Sequence, residues 1–353
     1  MSPSKVFTIS PALAAICLMM LAPSRTCAAD ELGRYAVDRN AISVSGISSG
    51  GYMAQQYQIA HSKEIMGVGV IAAGPWDCAD TQPGWLPLVT ATTICSHTGS
   101  DQTPFLGPPN LEASIAATKD AARDNQIDPT KFIANAKAFL FSGTKDSLEP
   151  QSVTDELAQY YLVFMPSTQL KYVNTIPAEH AMVTDGYGNK CGYLGLPYIN
   201  DCGYDTAGEM LKFIYGELNP PGDASTGKLM AFDQEEFLPP EAISMAPVGH
   251  IFVPADCQTT PGCRLHVAFH GCLQYQQLVA DAFYAQAGYN RWAATNRIIV
   301  LYPQTIESNL IPYNPKGCWD WWGYTDSQFP TKNGMQIVAV RKMIVRLSES
   351  DTH

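Results

Sequence analysis

The chain has 353 residues with 22 basic and 33 acidic side chains, a formal charge of −11, and 46% of its residues are apolar. That apolar fraction is ample for a packed core and excludes a disordered chain. So acidic a surface repels phosphate backbones, so no nucleic-acid partner is expected.

At the amino terminus Lys5 precedes an apolar run from Phe7 to Leu21, and Pro23 and small residues then lead to Cys27-Ala28-Ala29. This is the pattern of a signal peptide cut after Ala29, which predicts a secreted or periplasmic protein. The run is interrupted by Pro11 and falls short of the roughly 20 apolar residues of a spanning helix, so no stable membrane insertion is expected. Cleavage removes Lys5 and Arg25 and no acid, leaving 20 of the 22 basic residues against all 33 acidic ones. It also removes Cys17 and Cys27, so that Cys78, Cys95, Cys191, Cys202, Cys257, Cys263, Cys272 and Cys318 remain. An even number in an exported chain predicts four disulfides. Spacing favours the sequential pairing 78–95, 191–202, 257–263 and 272–318 among the roughly 105 connectivities that eight cysteines allow. With no C-x-x-C pair and no Cys/His cluster, neither a metal nor a cofactor is expected.

Along the mature chain, residues 41–45 read as a β-strand, followed by a Gly/Ser turn and a helix over 52–62. Residues 66–73 and 138–142 are apolar runs ending at glycine, and 170–174 is a further strand candidate. Continuous apolar runs suit parallel strands covered on both faces. Helices are predicted over 110–125, 152–161 and 205–215, which gives the β/α alternation of a doubly wound sheet. After the breaker cluster at 216–222, strands are predicted over 229–232, 250–254, 265–269 and 298–302, and a last helix over 335–347. No repeat and no Thr- or Pro-rich linker to an appended module is present.

Gly46-Ile47-Ser48-Ser49-Gly50 is a G-x-S-x-G nucleophile elbow in its required place between a strand and a helix. The turn lifts the Ser48 hydroxyl clear of the sheet and aims the Ser49 amide at a developing oxyanion. A serine nucleophile needs a general base, and the base a carboxylate that holds its tautomer, in the chain order Ser, Asp, His for this fold. Asp146 follows the 138–142 strand and His180 the 170–174 strand, both in loops at carboxyl ends where such sites are built. Glu149 and Asp185 are the reserve acids. Among the other histidines, His61 falls at a helix end and His266 inside a strand, while His97, His250 and His270 compete on position alone. A second oxyanion donor is usually carried by a His-Gly loop ahead of the nucleophile. Here His270-Gly271-Cys272 comes more than two hundred residues after it.

These segments resemble the catalytic domains of poly(3-hydroxybutyrate) depolymerases and the related feruloyl and acetylxylan esterases. In that family the usual order runs from His-Gly-Cys through Tyr-Pro-Gln and a Cys-Trp segment to the G-x-S-x-G box. This chain has His270-Gly271-Cys272, Tyr302-Pro303-Gln304 and Cys318-Trp319-Asp320-Trp321-Trp322, with the box at its other end. The resemblance implies a circularly permuted α/β-hydrolase fold, a mostly parallel central sheet with helices on both faces, in one catalytic domain over residues 30–353 with its joint near 216–227. It further implies an oxyanion hole from the Ser49 and Cys272 amides. A Cys272–Cys318 bridge would fix that donor and tie the Trp loop to the site. Trp319 and Trp322 are candidates for substrate contact, with one or two of Trp319, Trp321 and Trp322 expected to be buried scaffold.

The expected activity is that of a secreted, monomeric serine esterase acting on poly(3-hydroxybutyrate)-type polyester or its oligomers. The alternatives are an esterase for feruloyl or acetyl groups on plant polysaccharide, and a non-catalytic exported binding protein on the same scaffold.

Overall fold

The computed structural model describes Met1 and residues 29–82, 86–97 and 105–350. Apart from Met1 and Ala29, the expected signal peptide lies outside the described residues. Strand β1 (Ile42–Ile47) leads straight to Ser48, where helix α1 (Ser49–Ala60) begins. The helix starts three residues before the predicted one, because Ser49-Gly50-Gly51 has little intrinsic helix propensity and is held by packing instead. A Cβ on Gly51 would sit only 3.0 Å from the Ala73 side chain.

The chain continues through β2 (Ile65–Ile71), the short helices α2 (Cys78–Thr81) and α3 (Pro87–Thr92), and α4 (Leu111–Arg123). The Asn110 side chain caps α4 by accepting from the Ala113 amide at 3.1 Å. Then come β3 (Lys137–Phe141), α5 (Gln151–Phe164), β4 (Leu170–Val173), and three short strands β5 (Met182–Thr184), β6 (Asn189–Lys190) and β7 (Ile199–Asp201). Helix α6 (Thr206–Tyr215) precedes β8 (Lys228–Asp233), β9 (Val248–Val253) and β10 (Arg264–Phe269). Finally α7 (Gln276–Val279), α8 (Ala282–Gln286) and α9 (Tyr289–Asn296) lead to β11 (Ile298–Tyr302) and α10 (Met335–Ser348). The elements not foreseen, α2, α3, α7 to α9 and β5 to β7, are mostly too short to show a hydrophobic period.

Eight strands form one sheet in the order β4-β3-β2-β1-β10-β11-β9-β8. Pairing is parallel from β4 to β11, and β9 and β8 close one edge antiparallel. The expected neighbour of the nucleophile strand is therefore in place: β1 runs beside β10 in the register Ile42↔Leu265 to Gly46↔Phe269. Helices cover both faces. Met53, Leu157 and Val340 bring α1, α5 and α10 into one apolar cluster, while Met210, Ile214 and Trp292 bring α6 and α9 into the other. The segment before β1 lies along the end of α10, where the Tyr35 and Val37 amides both donate to the Leu347 carbonyl at 3.2 Å. All four disulfides adopt the sequential pairing, Cys78–Cys95, Cys191–Cys202, Cys257–Cys263 and Cys272–Cys318. Among the described residues no helix is long and apolar enough to cross a membrane.

Candidate active site

Ser48 sits at the tip of the β1 to α1 turn with φ 56° and ψ −125°, a backbone region that costs an L-residue about 1–3 kcal/mol. The surroundings hold it there. Its amide donates to the Ile71 carbonyl at 2.9 Å and its carbonyl accepts from the Tyr52 amide at 3.0 Å. Both glycines of the motif are required by close backbone approach. A Cβ on Gly46 would come within 2.1 Å of the Gly50 carbonyl oxygen, and one on Gly50 within 2.3 Å of the His270 oxygen and 2.4 Å of the Phe269 oxygen.

Asp146 and His180 meet across two loops at the carboxyl ends of β3 and β4. His180 Nδ1 lies 2.9 Å from Asp146 Oδ2 and 3.1 Å from Oδ1. The carboxylate is itself held, because Oδ1 accepts the Leu148 amide at 3.0 Å and the Glu149 amide at 2.7 Å. The loops are zipped together: the Thr144 and Lys145 amides donate to the Ile176 and Ala178 carbonyls at 2.8 and 3.1 Å. Burial disfavours the imidazolium of His180, but the charge of Asp146 and the hydrogen bond it accepts outweigh burial and hold the His180 pKa above its ordinary value.

The other histidines are occupied elsewhere. His266 is fully buried with both ring nitrogens 2.7 Å from hydroxyls, Ser43 Oγ and Ser45 Oγ, and burial pushes its pKa down to about 3. His250 stacks on Tyr284 with ring centroids 3.7 Å apart. His61 is buried at the end of α1. His97 does line the pocket, but it is His180 that Asp146 holds. The reserve acid Asp185 is paired with Arg291.

The His270-Gly271-Cys272 loop at the end of β10 reaches the same place from the other neighbour of β1. His270 is fully buried, and its Nδ1 lies 2.7 Å from the Gly271 carbonyl, so that nitrogen carries the proton and Nε2 accepts from the Thr305 amide at 3.2 Å. The Cys272–Cys318 bridge ties the loop to the Trp segment. No hydrogen bond from the Ser49 or the Cys272 amide to another loop or turn carbonyl is found among the described residues.

Ser48, His180 and Cys272 open together onto a pocket of about 250 Å³, lined also by Leu88, Glu149, Tyr198, Tyr313, Trp321 and Trp322. Trp322 is half-buried on that wall. Trp319 corrects the expectation of substrate contact. It is fully buried against Phe269 and His270, and its amide donates to Ser49 Oγ at 3.3 Å, so it buttresses the elbow from within. Trp321 is also largely buried, its face stacked on Tyr52 at 4.3 Å. Two of the three tryptophans are therefore scaffold, each held by the rings packed against it, Phe269 and His270 behind Trp319 and Tyr52 behind Trp321.

No family model matches the chain. Poly(3-hydroxybutyrate) depolymerase of Delftia acidovorans is 40% identical over 328 residues, covering 91% of this chain and 62% of that enzyme. The chain thus spans less than two thirds of that relative's length. Polyhydroxybutyrate depolymerase of Talaromyces funiculosus is 36% identical over 327 residues, covering 89% of this chain and 91% of the relative. The chain belongs to the polyhydroxybutyrate (PHB) depolymerase family. The crystal structure of PHB depolymerase from Penicillium funiculosum matches with a TM-score of 0.81 at 34% identity, over 90% of this chain and 98% of that one. A PHB depolymerase carrying a serine-to-alanine substitution, complexed with R3HB trimer, matches equally well. The fold is accordingly of the α/β-hydrolase kind.

Within this depolymerase fold, two positions that no motif marks hold the loops together. Gln274 accepts the Gly271 amide at 2.7 Å and donates to the Pro197 and Tyr198 carbonyls at 3.0 and 2.9 Å, so it pins the His270-Gly271-Cys272 loop to the opposite wall. Glu179 accepts the Ser147 amide at 2.6 Å and the His180 amide at 2.9 Å, which locks the Asp146 loop to the His180 loop. Both adjoin the motifs already singled out, and that adjacency was the only available signal.

Proposed function

We propose that the protein is an exported serine esterase that hydrolyses the ester bonds of poly(3-hydroxybutyrate)-type polyester. The observation that carries this reading is the convergence of Ser48, the Asp146-bound His180 and the Cys272 amide on one apolar pocket, in a chain whose relatives are named for PHB depolymerisation. The match to a serine-to-alanine PHB depolymerase complexed with R3HB trimer supports both the substrate class and a serine nucleophile. Four disulfides suit an oxidising compartment and support export. The order of the strands, and the adjacency of the segment before β1 to the end of α10, support one permuted catalytic domain over residues 30–353.

Ser48 Oγ attacks the ester carbonyl carbon while His180 Nε2 takes its proton, and the oxyanion of the tetrahedral adduct is met by the Ser49 and Cys272 amides. Each such donor contributes about 3–4 kcal/mol to the transition state. His180 then protonates the departing alcohol end of the polymer, and water, deprotonated by the same imidazole, releases the hydroxyacid from Ser48. A clearing zone on polymer agar with soluble hydroxybutyrate released is the expected result for purified mature protein. Release of ferulate or acetate from xylan with no polymer clearing would favour the polysaccharide esterase instead. Failure of a fluorophosphonate probe to label Ser48 would leave only a binding protein.

The turnover this site supports requires neutral His180. Because Asp146 and Glu179 outweigh burial and raise the His180 pKa, kcat/KM is expected to fall as pH drops through a value above the ordinary histidine pKa of about 6.5. A pH profile whose acid limb lies below that value contradicts the assignment.

A solid polymer must be gripped at the mouth, where Leu88, Tyr313 and Trp322 present apolar surface. Substituting Trp322 and Tyr313 with polar residues is expected to lower activity on polymer film far more than on soluble p-nitrophenyl butyrate. Each aromatic fully removed from water contributes about 1.5–3 kcal/mol, so the pair can shift adsorption by more than tenfold. Equal losses on both substrates would mean that these residues support the site rather than the polymer.

A further inference from the structure

Among the described residues, Glu149 is the one carboxyl group on the pocket wall that the mechanism does not use. It is 3% exposed. Its Oε1 lies 3.1 Å from the Tyr52 hydroxyl oxygen, which is itself 2.6 Å from the Cys95 carbonyl oxygen. A phenol has one proton and a carbonyl has none. At 2.6 Å the Tyr52 proton must lie on the line to Cys95, since two lone pairs at that distance repel. The 3.1 Å contact to Glu149 is then a hydrogen bond only if the carboxyl supplies the proton.

We propose that Glu149 is a carboxylic acid held neutral in the wall of the active-site pocket, donating through Oε1 to Tyr52, and that in this form alone it positions Asp146 and the Trp321 wall for the reaction. The proposal rests on the esterase reading for its catalytic consequence. Two connections carry that consequence. The Glu149 amide donates to Asp146 Oδ1 at 2.7 Å, and the charge of Asp146 is felt at the Glu149 carboxyl, so a second negative charge here would act on the carboxylate that orients His180. Tyr52, the recipient of the Glu149 proton, stacks flat on Trp321 with ring centroids 4.3 Å apart and an interplanar angle of 12°. Ionisation would set a carboxylate lone pair against a lone pair of the Tyr52 oxygen, whose proton points to Cys95, and shift that ring. Burial, and then the neighbouring charge of Asp146, both push the Glu149 pKa well above the carboxylate range, and they outweigh the opposite pull of the Tyr52 hydroxyl.

The titratable groups facing Glu149 are Tyr52 from α1 and Asp146 from its own loop, with His180, His97 and Lys316 on the same pocket wall. Burial raises the Tyr52 pKa and lowers that of His97. Lys316 is the cation of that wall among the described residues, so Lys316→Met serves as the control that removes its charge.

Two measurements on the full mature protein test the proposal. Glu149→Gln keeps a neutral group with an N–H to donate to Tyr52. In kcat/KM profiles for p-nitrophenyl butyrate, each normalised to its own maximum, the native limb should fall by about tenfold per pH unit once Glu149 ionises. Over the same range the Glu149→Gln profile should stay flat, and Lys316→Met should keep the native limb. Superimposable native and Glu149→Gln profiles, or a limb lost in Lys316→Met instead, would overturn the proposal. Infrared difference spectra of native minus Glu149→Gln protein at neutral pH provide the readout that needs no catalysis. A protonated-carboxyl carbonyl band should be lost in the variant, and loss of an ionised-carboxylate band in its place would overturn the assignment even if the esterase reading stands.

Discussion

Replacing Ser48 with alanine is expected to lower kcat for ester hydrolysis by about six orders of magnitude, because base, acid and oxyanion donors then have no nucleophile to act on. What remains is the residual catalysis of binding and oxyanion stabilisation, about 10³–10⁴-fold over the uncatalysed reaction. Hydrolysis of p-nitrophenyl butyrate at high enzyme concentration, with loss of fluorophosphonate labelling, measures this directly. Substantial residual turnover would point to a different nucleophile. The fold should be untouched, since alanine keeps the same backbone contacts to Ile71 and Tyr52. It also keeps the strain of φ 56°, which glycine would not. Ser48→Gly is therefore expected to be more stable than Ser48→Ala by about 1 kcal/mol. Equal melting temperatures for the two variants would show that the elbow stores no strain.

Asp146→Asn is expected to cost about 10⁴ in kcat. The Leu148 and Glu149 amides both donate to one oxygen of this side chain, so an asparagine would keep its carbonyl oxygen there and turn its NH₂ toward His180 Nδ1. An N–H donor at that point forces the imidazole proton onto Nε2, the atom that must accept the proton of Ser48. The orienting charge is lost too, so the His180 pKa falls and the acid limb of the residual activity should move to lower pH. Steady-state kinetics of Asp146→Asn beside Asp185→Asn checks the assignment, since Asp185 is committed to Arg291. Equal losses in the two variants would mean that the acid has been misassigned.

What the amino-acid sequence determined by itself was local. Every helix of ten residues or more, and every strand of the main sheet, lies within a few residues of where apolar periodicity and breakers put it. The turn at Ser48 was legible because only glycine fits at Gly46 and Gly50. Cysteine spacing sufficed for the disulfides because all four join neighbours in sequential order. The resemblance added a non-local expectation, that the strand ending at Phe269 lies beside the nucleophile strand, and β1 and β10 pair in that way. Contacts between residues distant in sequence, by contrast, were decided by the tertiary structure. Whether Trp319, Trp321 or Trp322 faces the pocket depends on what packs behind each ring, and only the fold brings Phe269, His270 and Tyr52 there. Gln274 and Glu179 look like ordinary polar loop residues until the wall at Pro197 and Tyr198 and the loop at Ser147 come within hydrogen-bond distance. The same holds for Glu149, whose proton is fixed by the Tyr52 and Cys95 oxygens, carried on segments with no local reason to meet. A side chain's chemistry is written in its residue type, but its protonation and role depend on neighbours that only folding supplies.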